Sequence, residues 1–165
     1  MNLVIGLYGE SCAGKTSVAK RVARRLKIKI RHCGEIVKAR AKQLGVEVED
    51  LPKEEHRRID QETRKLVKSA DRLIIEGRFL NQVLKGLPNV ILIKLTCDRT
   101  ERLRREAERK GKVQTDSQEG RRDRANPLYR RQTSGAEARF TIRTGKLTIS
   151  EVTETVLRRI KEVQE

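Results

Sequence analysis

The sequence predicts an α/β fold with a central five-stranded parallel sheet flanked by helices. Three observations carry that expectation. Short apolar runs alternate with stretches of helical period about 10–15 residues long, the pattern of strands joined by crossover helices. The first apolar run ends in a glycine-rich turn that opens into an amphipathic stretch. The 165 residues suit one hydrophobic core, since such a core serves about 100–200 residues. Residues 1–165 therefore read as a single domain.

Leu3-Val4-Ile5-Gly6-Leu7 reads as a buried strand. Val18, Ala19, Val22, Ala23 and Leu26 then recur at helical spacing, which predicts a helix over 15–26. Lys27 to His32 alternates as a second strand, and Glu35 to Leu44 forms a helix ended by Gly45. Asp50 and Pro52 are start signals for a charged helix reaching Ser69. Leu73 to Gly77 and Val90 to Cys97 are the third and fourth strands. Asp98, with Glu101 three positions on, has the form of a capping box and opens a charged helix ending near Gly111. Residues 111–120 are polar and read as a surface loop; Arg121 to Gln132 is helical but interrupted by Pro127. Phe140-Thr141-Ile142 is a fifth strand. Thr148 and Glu151 cap a last helix carrying Val152, Val156, Leu157 and Ile160.

Composition narrows the function classes. The net charge is +16, and it is segregated. Residues 15–31 hold eight basic groups and no acid, and residues 99–131 hold twelve basic groups against six acidic. Such a field attracts phosphate in any form. The longest apolar run, Val90 to Ile93, is far short of the roughly 20 residues that span a membrane. The N-terminus shows no basic leader before an apolar stretch, and Cys12, Cys33 and Cys97 are odd in number with no C-x-x-C. A disulfide framework and a zinc site are thus not expected, and a reducing cytoplasm is.

Gly9-Glu10-Ser11-Cys12-Ala13-Gly14-Lys15-Thr16 satisfies G-x-x-x-x-G-K-[ST] between a predicted strand and a predicted helix. That is the context a phosphate-binding P-loop requires. Glycines let backbone N–H groups approach phosphate oxygens, and the helix N-terminus adds partial positive charge. Gly9, Glu10, Ser11, Cys12, Ala13, Gly14, Lys15, Thr16 and Ser17 are therefore the expected ATP-binding residues. Lys15 is expected to reach the β- and γ-phosphates and the Thr16 hydroxyl to hold Mg²⁺. The chain is too short for GTPase switches and guanine-reading loops, and it lacks N-K-x-D. It also lacks an apolar strand ending in paired aspartates, as a motor ATPase carries. A small phosphotransferase is the economical reading.

Five segments share an order with a known family. They are the P-loop, H-C-G-E-I-V-K-A-R (32–40), R-I-D-Q-E-T-R (58–64), I-I-E-G-R (74–78) and the arginine-rich 121–131. T-G-K-L-T-I-S-E-V (144–152) precedes the last helix in the same order. In these the chain resembles nucleoside monophosphate kinases, most closely the short cytidylate kinases. The resemblance implies a P-loop NTPase fold with an acceptor-binding segment over 33–70 and a lid over 110–130. It implies that Gly34, Lys38, Asp60 and Arg78 bind the acceptor, with CMP or dCMP as the expected one; Gln82, whose amide can meet a base edge, is a further candidate. It further implies that Lys15, Arg78, Arg122 and Arg124 act in catalysis, Arg122 and Arg124 flanking Asp123 in the lid. Lys38 stands where the family carries an arginine, Glu119 and Asn126 where further lid arginines are expected, and Arg143 where an acidic residue is common. A monomer with ATP and Mg²⁺ as cofactors is expected.

Other residues keep two readings. Glu76 either orients magnesium-bound water or pairs with Lys15 or Arg78. Asp60 is expected to form a solvated pair with Arg57 or Arg64. Asn81 and Gln82 either meet a base edge or cap the short helix after Gly77. His32 and His56 are expected to have no ligand partners nearby, and Cys12 reads as a small loop residue. Two rival activities remain. One is transfer to a hydroxyl of a small metabolite or polynucleotide 5′ end, with Glu35 as base. The other is a nucleic-acid-binding ATPase, disfavoured by the scarcity of stacking groups: Tyr8, Phe79, Tyr129 and Phe140 are the only aromatics and there is no Trp.

Overall fold

The computed structural model describes residues 2–111 and 137–165. The elements are β1 (Leu3–Tyr8), α1 (Lys15–Leu26), β2 (Lys29–His32), α2 (Cys33–Leu44), a 3-10 turn (Val48–Asp50), α3 (Lys53–Ser69), β3 (Arg72–Gly77), α4 (Leu80–Val83), β4 (Val90–Thr96), α5 (Arg99–Lys110), β5 (Phe140–Arg143) and α6 (Ile149–Gln164). The five strands form one parallel sheet in the order β2-β3-β1-β4-β5. The predicted architecture is the one observed.

The sheet is covered on both faces, which is why β1 reads as a continuous apolar run rather than an alternation. On one face α1 and α6 pack against Leu3, Ile5, Leu7, Ile74, Ile93 and Leu95. On the other, α3 and α4 pack against Val4, Tyr8, Leu73, Ile75 and Leu92. Ile5, Leu7, Ile74, Ile75, Ile93 and Leu95 are wholly buried, and each contributes about 1.5–3 kcal/mol. The carboxyl ends of β1, β3 and β4 are therefore a rigid platform. Residues 33–70 leave the end of β2 and return to β3 through α2 and α3, which close on a small core of Ala41, Leu51 and Ile59.

Boundaries differ from the sequence expectation where local chemistry decides them. Lys27 is not in a strand; it takes the left-handed conformation (φ 53°) and caps α1 with its N–H, so β2 starts at Lys29. Asp50 belongs to the 3-10 turn, and α3 starts just after Pro52. Asp98 precedes α5 but its side chain makes no cap bond; it pairs with Arg143 at 3.1 Å. Glu101 turns instead to Arg104 and Arg105, since charge-assisted bonds to two guanidinium groups outweigh one to a backbone amide. The Thr148–Glu151 capping box forms as expected. The predicted loop over 111–120, beyond Gly111, and the helix over 121–132 lie outside the described residues. Among those described, no helix is long and apolar enough to cross a membrane.

Candidate functional site

The chain leaves β1 for β2 on one side and reaches β4 on the other, so β1 lies at the switch in strand order. Open α/β sheets bind ligands in the crevice at the carboxyl ends of such strands. The loop 9–14 occupies that position. Gly9 has φ 139°, and a Cβ there would lie 2.1 Å from the Leu95 carbonyl oxygen, so only glycine fits. Gly14 caps α1 with φ 92°, and a Cβ there would meet nothing within 4 Å. The first turn of α1 holds no acidic residue, leaving its N–H groups to an anion. Ala13 is buried, Cys12 is half-buried with φ 57°, and Thr16 and Ser17 stand exposed on the first turn.

Residues far along the chain anchor this loop. The Thr144 hydroxyl donates to the Ala13 carbonyl at 2.9 Å. Arg105 donates to the Cys12 carbonyl at 3.3 Å and to the Thr144 carbonyl at 2.9 Å, while Glu101 holds its Nε at 2.9 Å. A trans peptide points N–H and C=O in opposite directions, so fixing the Ala13 carbonyl fixes the direction of the Gly14 N–H. Lys15 folds back across the loop, its Nζ donating to the Glu10 carbonyl at 2.6 Å. The Glu10 carboxylate in turn lies 3.2 Å from Arg102 Nε. Sequence reasoning missed Arg102, Arg105 and Thr144, since nothing local marks a contact spanning 131 positions.

Beside the loop, Glu76 is buried at the end of β3. The parallel register sets Leu7 on one side of it and His32 on the other. Its Oε1 accepts from the Thr16 hydroxyl at 3.2 Å and meets His32 Nδ1 at 3.0 Å. Sequence reasoning did not give His32 this partner: matching strand ends bring it against Glu76. Hydroxyl and carboxylate oxygens are the hard donors that suit Mg²⁺, so this corner fits that ion.

At the end of β3, Arg78 is half-buried just past Gly77. A Cβ on Gly77 would lie 3.1 Å from Cys33 Cβ, so the start of α2 seats closely on the end of β3. Burial pushes the Cys33 thiol up to about 12, and the charges of Arg31, Glu76 and Asp60 and the Thr63 hydroxyl also act on it. Asp60 is not the solvated partner expected of it. Burial raises its carboxyl to about 6, Arg64 donates to the Val83 and Lys85 carbonyls, and Arg57 pairs with Glu54. Both amide atoms of Gln82, and Nε of Arg31, are buried without a hydrogen-bond partner among the described residues. Gly34, Glu35 and Lys38 are exposed on α2. His56 is buried in α3, and burial lowers its pKa. Arg122 and Arg124 lie outside the described residues.

The family model of the AAA domain matches residues 5–126. None of the curated proteins matches the chain. Solved structures share the fold at low identity. A shikimate kinase from Bacteroides thetaiotaomicron is 15% identical with a TM-score of 0.66, over 96% of this chain and 98% of that one. A shikimate kinase from Acinetobacter baumannii in complex with shikimate is 19% identical with a TM-score of 0.65, over 98% and 94%. A gluconokinase from Sinorhizobium meliloti 1021 is 13% identical with a TM-score of 0.65, over 98% and 93%.

Proposed function

The chain belongs to the AAA domain family, and we propose that it transfers the γ-phosphoryl group of ATP, with Mg²⁺, to a nucleoside monophosphate, CMP or dCMP. The observation that carries this reading is the Gln82 amide, buried and without a partner among the described residues, in the short helix α4 that follows Arg78. A buried unpartnered polar group costs about 1–3 kcal/mol, and a base edge offering adjacent donor and acceptor would relieve both ends of this one.

The roles follow from the donor and acceptor inventory. Gly9 to Ser17 hold the triphosphate, and Lys15 exchanges the Glu10 carbonyl for phosphate oxygens. Thr16 has one proton and two lone pairs, so it keeps its bond to Glu76 while offering a lone pair to Mg²⁺. When bound, Mg²⁺ neutralises charge on the phosphate oxygens. Arg78 grips the acceptor phosphate, Arg122 and Arg124 complete the cationic surround, and Gly34, Lys38, Asp60 and Gln82 hold the rest of the acceptor. A phosphate monoester has its second pKa near 6 and is mostly ionised at pH 7. Transfer to it needs positioning and charge neutralisation rather than a base.

A second reading, transfer to a hydroxyl of a small metabolite, is favoured by the likeness in fold to shikimate kinases and a gluconokinase. That chemistry benefits from a base, and Glu35, the candidate, is exposed on α2. ADP release measured with each nucleoside monophosphate, with shikimate, with gluconate and with a polynucleotide 5′ hydroxyl separates the readings. CMP and dCMP should give the highest kcat/KM; stimulation by hydroxyl acceptors alone would replace the first reading with the second.

A further inference from the structure

The geometry points to His32 as a positioning residue: it fixes the Glu76 carboxylate and, through it, the Thr16 hydroxyl at the Mg²⁺ side of the phosphate loop. The inference rests on the proposed reading of Thr16. His32 and Glu76 are direct partners across the parallel β2–β3 pair, so their side chains leave the sheet on one face, where α1 begins. Both side chains are nearly buried, at 13% and 8% exposure. A carboxylate only accepts, so the 3.0 Å contact assigns the proton to His32 Nδ1.

Two donors from different elements thus converge on one oxygen: Thr16 from α1 and His32 from β2. One contact alone would leave the carboxylate free to turn about its last bond. Two set its plane and hold Thr16 in the rotamer that aims a lone pair away from Glu76. The ring has no competing duty in the helix it precedes. His32 stands at the N-cap of α2, yet its side chain makes no cap bond. Groups that orient a metal ligand without touching the metal typically change metal affinity or activity by about 10–100-fold when removed.

The test measures Mn²⁺ binding by electron paramagnetic resonance in the presence of a non-hydrolysable ATP analogue, alongside kcat and acceptor KM with Mg²⁺. His32→Ala should weaken Mn²⁺ binding and lower kcat by about tenfold or more, with acceptor KM changed little. Asn places an N–H donor where Nδ1 stands, so His32→Asn should recover most of both. Glu76→Gln is the control for the underlying reading, and it should weaken Mn²⁺ binding. Normal Mn²⁺ binding in His32→Ala beside a defective Glu76→Gln would overturn the role of His32 alone. His32→Asn as defective as His32→Ala, with the melting temperature of the parent, would overturn it too. Normal binding in both His32→Ala and Glu76→Gln would overturn the reading of the Mg²⁺ corner, and the inference with it.

Discussion

The Thr144 hydroxyl donates to the Ala13 carbonyl at 2.9 Å, joining the turn after β5 to the phosphate loop. Thr144 is 2% exposed, and its backbone N–H donates to the Thr96 carbonyl at 2.8 Å, leaving the single hydroxyl proton to Ala13. Thr144→Val keeps the shape and removes the donor, leaving a buried carbonyl short of a partner. It should destabilise the fold by about 1–3 kcal/mol and raise the ATP KM more than the acceptor KM. Denaturant unfolding and steady-state kinetics check both; unchanged values would mean that the loop holds its shape alone.

Lys15→Ala should leave the fold intact, since the loop's shape comes from Gly9, Gly14 and the backbone contacts of Ala13 and Cys12. Losing the cation nearest the developing charge should lower kcat about a hundred- to a thousandfold. Melting curves matching the parent, with turnover nearly gone, are the expected pair of results.

Asp60 carries a stability penalty with a defined pH window. Burial raises its native carboxyl from 3.8 to about 6, so between those values the native state binds more protons than the unfolded one. Stability contributed by this group therefore falls as pH rises from about 4 to about 6, by at most about 3 kcal/mol. Asp60→Asn should be the more stable protein at pH 7 and gain nothing near pH 3.5, while its acceptor KM rises. Denaturant midpoints at both pH values decide this; equal differences at the two would remove burial of the charge as the cause.

Arg78→Ala should raise the acceptor KM and lower kcat with little effect on ATP binding, because Arg78 follows β3 while the loop proposed to hold ATP follows β1. Arg78→Lys should recover only part, since an ammonium lacks the bidentate fork. Kinetics with ATP and acceptor varied separately would show it; a defect confined to ATP would place Arg78 elsewhere.

The sequence made the strands and α1 legible because their burial is recorded locally. β1 and β4 are apolar runs, and α1 repeats Val18, Val22 and Leu26 at helical spacing. The Gly9–Thr16 loop was legible because its chemistry needs consecutive residues. What escaped was long-range. His32 meets Glu76 through strand register across 44 positions, and Thr144 meets Ala13 only once β5 is laid beside β4. The Asp98–Glu101 capping pattern failed for a related reason: Arg143, distant in sequence, takes Asp98, and Arg104 and Arg105 take Glu101.

Phosphorus NMR of the protein with ATP, Mg²⁺ and CMP follows donor and acceptor in one experiment. The CMP resonance should decline as two coupled CDP resonances grow in step with ADP, and omitting CMP should leave ATP nearly intact. ATP consumed to ADP and free phosphate while CMP, dCMP and the other monophosphates stay unchanged would contradict transfer to a nucleoside monophosphate.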